Sequence, residues 1–207
     1  MNAAPCRTAS EIAMTIKKLV PLALLAVSAA ACAADDNERA LRFAAGIGLT
    51  NGGKTLINAT FTDGTTEKVT SGGLVHLYVG GEYSFTPNIA VQANVGYHVH
   101  DTSPATNGSL TFSRVPVELL GYYKVTDHVR LGGGLRYLSD ARLKGTGVAS
   151  DINVKFKSTT GAVIEGEYLF TRNIGVKLRY VSEKYKAEGD TESISGNHGG
   201  LYLTGYF

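Results

Sequence analysis

Three stretches decide how this chain folds: "EYSFTPNIAV" from Glu82, "YYKVTDHVRL" from Tyr122 and "EYLFTRNIGV" from Glu167. In each, an aromatic-rich strand end is followed by Thr, a variable residue and then Asn or His, and an alternating strand resumes at Ile89, Val129 or Ile174. Each is a tight hairpin with a three-residue turn. Longer polar stretches rich in Gly and Ser lie between them, at about 101–109, 140–154 and 186–195, and "TNGGKTLINATFTDGTTEKVTSGG" follows the first strand. Short turns therefore alternate with long loops.

This organisation predicts strands at about 40–51, 72–86, 88–101, 110–126, 128–140, 154–171, 173–185 and 196–207. The first long loop reads either as irregular chain or as a hairpin extension turning at Asp63-Gly64 and protruding beyond the barrel. An even set of antiparallel strands, with short turns at one end and long loops at the other, is the plan of a transmembrane β-barrel. Lipid offers an unpaired strand edge no hydrogen-bond partner, so the sheet must close. The fold class is all-β: an eight-stranded antiparallel up-and-down transmembrane barrel behind an N-terminal signal peptide. The 25 Gly, 11 Tyr and 7 Phe suit closely packed strands better than a helical bundle.

Alternation separates two faces. Val75, Leu77, Val79, Tyr83 and Phe85 share one face of the second strand, with His76, Tyr78, Glu82 and Ser84 on the other. Ile89, Val91, Ala93, Val95, Tyr97 and Val99 oppose Gln92, Asn94, His98 and His100 in the third, and Ile174, Val176, Leu178 and Tyr180 oppose Lys177, Arg179 and Glu183 in the seventh. A soluble carrier barrel would place the apolar set inside. The aromatics choose the other orientation. Tyr83, Phe85, Tyr123, Tyr168, Phe170 and Phe207 sit near the tight turns or chain end, and Tyr97, Tyr137 and Tyr180 lie roughly 20 Å further along a tilted strand at 3.3 Å per residue. Two belts at the membrane interfaces result, and the polar face lines the lumen.

Turn length fixes register. If Phe85 faces Ile89, opposed residue numbers sum to 174, and the next two hairpins give 254 and 344. On the polar face this sets Glu118 opposite Arg136, Glu165 opposite Arg179 and Glu167 opposite Lys177. An unpaired charge in a closed lumen costs several kcal/mol, so these pairs read as a structural filling, with a gate or proton path as the functional alternative. Eight strands leave only enough interior for side chains, which argues against a general diffusion pore. The first register also sets His76 opposite His98, with Tyr78 and His100 nearby. That constellation suits a metal site, a pH-sensitive gate or a general base. Two histidines give neither a full ligand set nor a nucleophile, so a hydrogen-bonded polar layer is the reading, and no metal, cofactor or catalytic residue is assigned.

Of the 207 residues, 43% are hydrophobic and 18% charged, consistent with one folded domain. Residues 1–33 read as a secretory signal: Lys17 and Lys18 precede an apolar run from Leu19 to Ala31, with cleavage after Ala33 and Met14 as the initiator. The run is too short for a spanning helix, which needs about 20 residues. The mature domain is then 34–207. Cys6 and Cys32 leave with the signal, excluding disulfide and thiolate chemistry, and Ala29 stands where a lipoprotein signal has Leu. Losing Arg7, Lys17 and Lys18 from 20 bases and Glu11 from 18 acids leaves 17 against 17. A balanced chain argues against nucleic acid as a partner.

The closing "GLYLTGYF", with Phe207, Leu203 and Leu201 at alternating positions, resembles the signal read by the barrel-assembly machinery. Over residues 38–207 the chain resembles the small eight-stranded outer-membrane β-barrel family, similar in plan to outer-membrane protein X and the barrel part of outer-membrane protein A. The resemblance implies location in the bacterial outer membrane, periplasmic termini, external long loops, lipid and lipopolysaccharide as surroundings, and a monomer; it implies no single activity. A structural or surface-interaction role is expected, with a narrow channel for small or apolar solutes and a lipid A-modifying enzyme as alternatives. Enzymes of the last class use a His, a Ser and an acid at the lipid-facing rim. No His-x-Ser element stands there, since His198 precedes Gly199 and Gly200 and His128 lies in a tight turn. "LGGGLRY" is a strand rather than a phosphate-binding loop.

Overall fold

The computed structural model describes residues 41–60, 66–102, 108–189 and 191–207. Residues 1–33, expected as a signal, and Asp63-Gly64, expected as a turn, lie outside the described residues. The strands are β1 (Leu41–Gly52), β2 (Thr55–Thr60), β3 (Thr66–Thr70), β4 (Leu74–Ser84), β5 (Ile89–Asp101), β6 (Gly108–Lys124), β7 (Val129–Gly147), β8 (Asn153–Lys155), β9 (Thr159–Leu169), β10 (Ile174–Ser182), β11 (Lys184–Lys186), β12 (Ser193–Ser195) and β13 (His198–Tyr206). Eight of them close on themselves in the antiparallel order β1-β4-β5-β6-β7-β9-β10-β13, with β13 returning to β1. These eight strands therefore form a closed barrel that leaves none of the eight with an open edge in the ring.

The three short turns share one chemistry. Thr86, Thr126 and Thr171 each accept a hydrogen bond at Oγ1 from the amide of the residue three ahead, at 3.0 Å in every case. Phe85, Val125 and Phe170 each donate from their amides to the carbonyl four residues on, at 2.9, 2.9 and 3.0 Å. A threonine at the first turn position thus satisfies a donor that the narrowed ladder leaves over. Leu77 pairs with Tyr97, Leu119 with Leu135, and Arg179 with Glu165, registers summing to 174, 254 and 344.

The outer face carries a band of exposed apolar side chains. Tyr83, Phe85, Tyr123, Tyr168 and Phe170 rim it at the short-turn end, and Tyr97, Tyr137 and Tyr180 rim it toward the loops. Leu119 and Leu178, between these rims, are 59% and 70% exposed, which suits lipid rather than water. No helix among the described residues is long and apolar enough to cross a membrane.

The structure departs from the expected segmentation above the upper rim. β7 runs to Gly147, β8 pairs with it, β11 pairs with β12, and β2 pairs with β3, so much of the long-loop chain is ordered sheet. The faces also exchange character there. Leu110, Phe112, Leu138, Ala141, Leu143, Phe156, Tyr185 and Val69 are buried together inside the extension, while Arg142, Lys144, Lys155, Lys157 and Lys184 point outward and are exposed. Below the rim the outside is lipid; above it the outside is water, so the apolar residues turn inward. In β7 a single bulge makes the exchange. Asp140 has φ 51°, and the β6–β7 register shifts by one between Ser113 and Val115. That slip carries Ala141 and Leu143 to the inside, where unbroken alternation from Arg136 and Leu138 would place Arg142 and Lys144.

Candidate functional site: the filled lumen and its cap

Inside the apolar band the barrel holds charge. From the short-turn end, Arg42 meets Glu82 at 2.6 Å, Glu82 meets Arg130 at 2.8 Å, and Arg130 meets Glu167 at 2.5 Å. Lys177 links Glu167 at 3.9 Å to Glu165 at 2.9 Å, and Arg179 links Glu165 at 2.5 Å to Glu118 at 3.0 Å. Arg136 then joins Glu118 at 2.9 Å to Glu183 at 3.1 Å. Acid and base alternate along the lumen, and all but Arg42 are almost wholly buried. Tyr122 and Tyr206 add hydroxyls: Tyr122 donates to Glu165, and Tyr206 donates to Glu167 at 2.7 Å. Each carboxylate here neutralises at least one cation, which is the condition for burying charge without a prohibitive desolvation cost.

Glu118 faces Arg136, Glu165 faces Arg179, and Glu167 faces Lys177 across their ladders. The nearest contacts are not always the facing ones. Lys177 lies closer to Glu165 than to its facing Glu167, and Glu167 takes its short contact from Arg130, which faces it across the other ladder, on β7. Arg42, Glu82, Arg130 and Glu183 complete the chain, and sequence reasoning assigned them no partners. Arg42–Glu82 and Arg130–Glu167 face each other across strand pairs joined by long loops, whose length sets no register, and Glu82–Arg130 and Arg136–Glu183 cross the barrel interior between strands that do not pair.

Glycines make room for the rings. A Cβ on Gly46 would lie 2.4 Å from Tyr78 Cε1, and one on Gly132 would lie 2.6 Å from Tyr122 Cε1. Of the "LGGGLRY" glycines, Gly132 and Gly134 share the lumen-facing side, and Gly132 is the one that lets the Tyr122 ring cross the interior.

Above the charges is a histidine layer. His76 and His98 face each other and stack with ring centroids 5.0 Å apart, and His198 from β13 packs edge-on against His98 at 5.2 Å. His198 joins only because β13 closes onto β1. His76 Nδ1 lies 3.1 Å from the Tyr202 hydroxyl, and Thr50 Oγ1 lies 2.8 Å from His98 Nε2. Tyr78 bonds Thr204 at 2.7 Å, and His100 lies outside the layer beside Thr70. Arg114 caps the layer, donating to the carbonyls of Ser71 and Gly73 and lying against His98. With Arg114, Arg136 and Arg179 close by, this layer is a poor host for a metal cation. Among the described residues no cluster of His, Cys, Asp or Glu has metal-holding geometry.

The lumen ends in an apolar cap. Phe112 packs edge-to-face against Phe156 and Tyr185, each 5.5 Å away between centroids. Tyr185 donates to Glu183 at 2.5 Å, tying the cap to the end of the charge chain. Burial pushes the Tyr185 phenol well above its ordinary pKa, so it stays a donor.

A closed eight-stranded barrel with an outward apolar band, two aromatic rims and a buried ionic interior is an integral outer-membrane β-barrel. Residues 20–197 match the family of the outer membrane protein beta-barrel domain, and the chain belongs to that family. Among solved structures it is similar to Ail, the attachment invasion locus protein of Yersinia pestis, in complex with the heparin analogue sucrose octasulfate. The identity is 14%, covering 80% of this chain and 96% of that one, with a TM-score of 0.51. It is also similar to Neisserial surface protein A, at 11% identity, 81% and 96% coverage and a TM-score of 0.47. At such identities the likeness is one of fold. Sequence comparison with curated proteins gives no match.

Proposed function

We propose that this protein is a closed, non-conducting barrel that serves the outer membrane structurally and works through its long-loop end, as a surface-interaction protein. One observation carries the reading: the interior is blocked twice, by an alternating chain of buried charges from Arg42 to Glu183 and by an apolar cap around Phe112, Phe156 and Tyr185. An ion following the axis would break salt bridges and then cross a dry constriction. The ordered sheet above the upper rim, by contrast, is a built surface. The signal segment 1–33 delivers the chain for export, and Leu201, Leu203 and Phe207 serve as the assembly signal. Leu201 and Leu203 point outward from β13, 58% and 51% exposed, where a second protein can read them.

Single-channel recording in planar bilayers tests this. No conductance steps are expected at moderate voltage; reproducible steps would overturn the closed reading and favour the narrow channel. The enzyme alternative is tested by the mass of lipid A after overexpression, which is expected to be unchanged.

A further inference from the structure

Six cations stand on neighbouring strands of the outer wall just above the upper aromatic rim: Arg142 and Lys144 on β7, Lys155 and Lys157 at β8, and Lys184 and Lys186 on β11. None of them makes an ion pair with a described residue, although every lumen carboxylate is paired. Arg142 lies directly across the ladder from Lys155. The bridge between Phe156 and Ala187 brings Lys157 beside Lys186, with the Lys157 amide donating to the Lys186 carbonyl at 2.8 Å. The acids near the patch are Glu188, beside Lys155, Asp140, at the bulge, Asp151, two residues before the Asn153 that faces Lys144, and Glu192, next to the Ser193 that faces Lys186 and itself engaged. Like charges set opposite one another across strands destabilise a sheet, so folding alone gives no reason for this arrangement.

The position of the patch says what neutralises it. Arg142, Lys144, Lys184 and Lys186 continue the outward faces that bear Tyr137 and Tyr180, and Lys155, across the ladder from Arg142, and Lys157, two residues on, share that side, so they point sideways over the membrane rather than up into the medium. Lys184 is four residues past Tyr180, roughly 10 Å along the membrane normal for a tilted strand, and a lysine stem reaches several ångströms back toward the interface. That is the depth of phosphate groups in the outer leaflet, where the headgroup region extends several ångströms beyond a hydrocarbon core of about 30 Å. The bulge at Asp140 is what turns Arg142 and Lys144 to this face.

We infer that the wall formed by β7, β8 and β11 is a docking site for the phosphates of a phosphorylated glycolipid in the outer leaflet, held by Arg142, Lys155, Lys157 and Lys186 with Lys144 and Lys184 at its margins. The inference rests on the long-loop end being external. Arginine and lysine together supply the forked and point-charge donors that phosphate monoesters accept.

The test uses the detergent-purified full-length protein, with bis-phosphorylated lipid A and fully dephosphorylated lipid A as probes in mixed micelles. The patch variant is R142S/K155S/K157S/K186S, and K54S/K68S is the control. All substituted residues are exposed except the half-buried Lys186, and a heat-modifiability gel verifies that each variant is folded. The patch variant is expected to lose roughly ten- to a hundredfold in affinity for bis-phosphorylated lipid A, the control less than about twofold, and dephosphorylated lipid A to bind wild type as weakly as the patch variant binds the phosphorylated form. Equal affinity of wild type and patch variant overturns the inference. So does tighter binding of a soluble sulfated polysaccharide than of bis-phosphorylated lipid A, which would assign the patch to a free glycan. Sidedness is read separately, by biotinylating a cysteine placed at Ser150 in intact cells: labelling keeps the site in the outer leaflet, and its absence removes the premise even if phosphate binding survives in micelles. The conductance experiment shares none of these readouts.

Discussion

Glu183, at the break between β10 and β11, places its carboxylate 3.1 Å from the Arg136 guanidinium of β7, where the charged lumen meets the apolar cap. The contact is an ion pair without hydrogen-bond alignment, since Glu183 Oε2 and Arg136 Nε have no hydrogen-bond partner. It joins two fillings of opposite polarity inside one barrel.

The first prediction concerns Glu118, which holds both Arg136 and Arg179. Glu118→Gln strands part of two buried guanidinium groups and is expected to cost about 3 kcal/mol, whereas Glu118→Gln with Arg179→Met removes one charge of each sign and is expected to recover more than half of that. Urea unfolding in detergent followed by circular dichroism measures both, because the chain has no tryptophan to report by fluorescence.

Phe112 is the ring around which the cap packs. Phe112→Ala is expected to cost about 3–4 kcal/mol in the same unfolding assay, the usual cost of a large cavity. It is also expected to leave the barrel non-conducting, because the charge chain below still blocks the path; conductance in this variant would make the cap the sole barrier.

The turn threonines offer a smaller, repeated test. Thr86→Ala, Thr126→Ala and Thr171→Ala each delete one exposed side-chain acceptor, and each is expected to cost about 0.5–1 kcal/mol, roughly additively because the turns are separate. A markedly larger loss at any one of them would mean that its hydroxyl does more than close the turn.

Depth can be probed on the outer face. Leu119→Arg places a charge between the two aromatic rims and is expected to cost about 2–4 kcal/mol in folding from urea into vesicles. Arg142→Leu, above the upper rim, is expected to change stability by less than about 0.5 kcal/mol. Equal costs would contradict the assignment of the membrane boundary to Tyr137 and Tyr180.

The amino-acid sequence determined the strands, their two faces and the pairing across the three short turns, because side-chain direction repeats every two residues and a three-residue turn admits one register. It also determined that Glu118, Glu165 and Glu167 share the lumen with Arg136, Arg179 and Lys177. Only the tertiary structure decided which of these charges touch, since Arg179 reaches Glu118 from 61 positions away and Arg130 reaches Glu82 from 48. Such contacts run across the barrel interior or between strands joined by long loops, where ring closure rather than turn length sets the geometry. His198 meets His98 for the same reason. On β7 the cap residues Ala141 and Leu143 and the wall cations Arg142 and Lys144 were hidden by one residue, Asp140: its bulge inverts the parity of everything after it on that strand, and local alternation carries no sign of a slip that only pairing with β6 reveals.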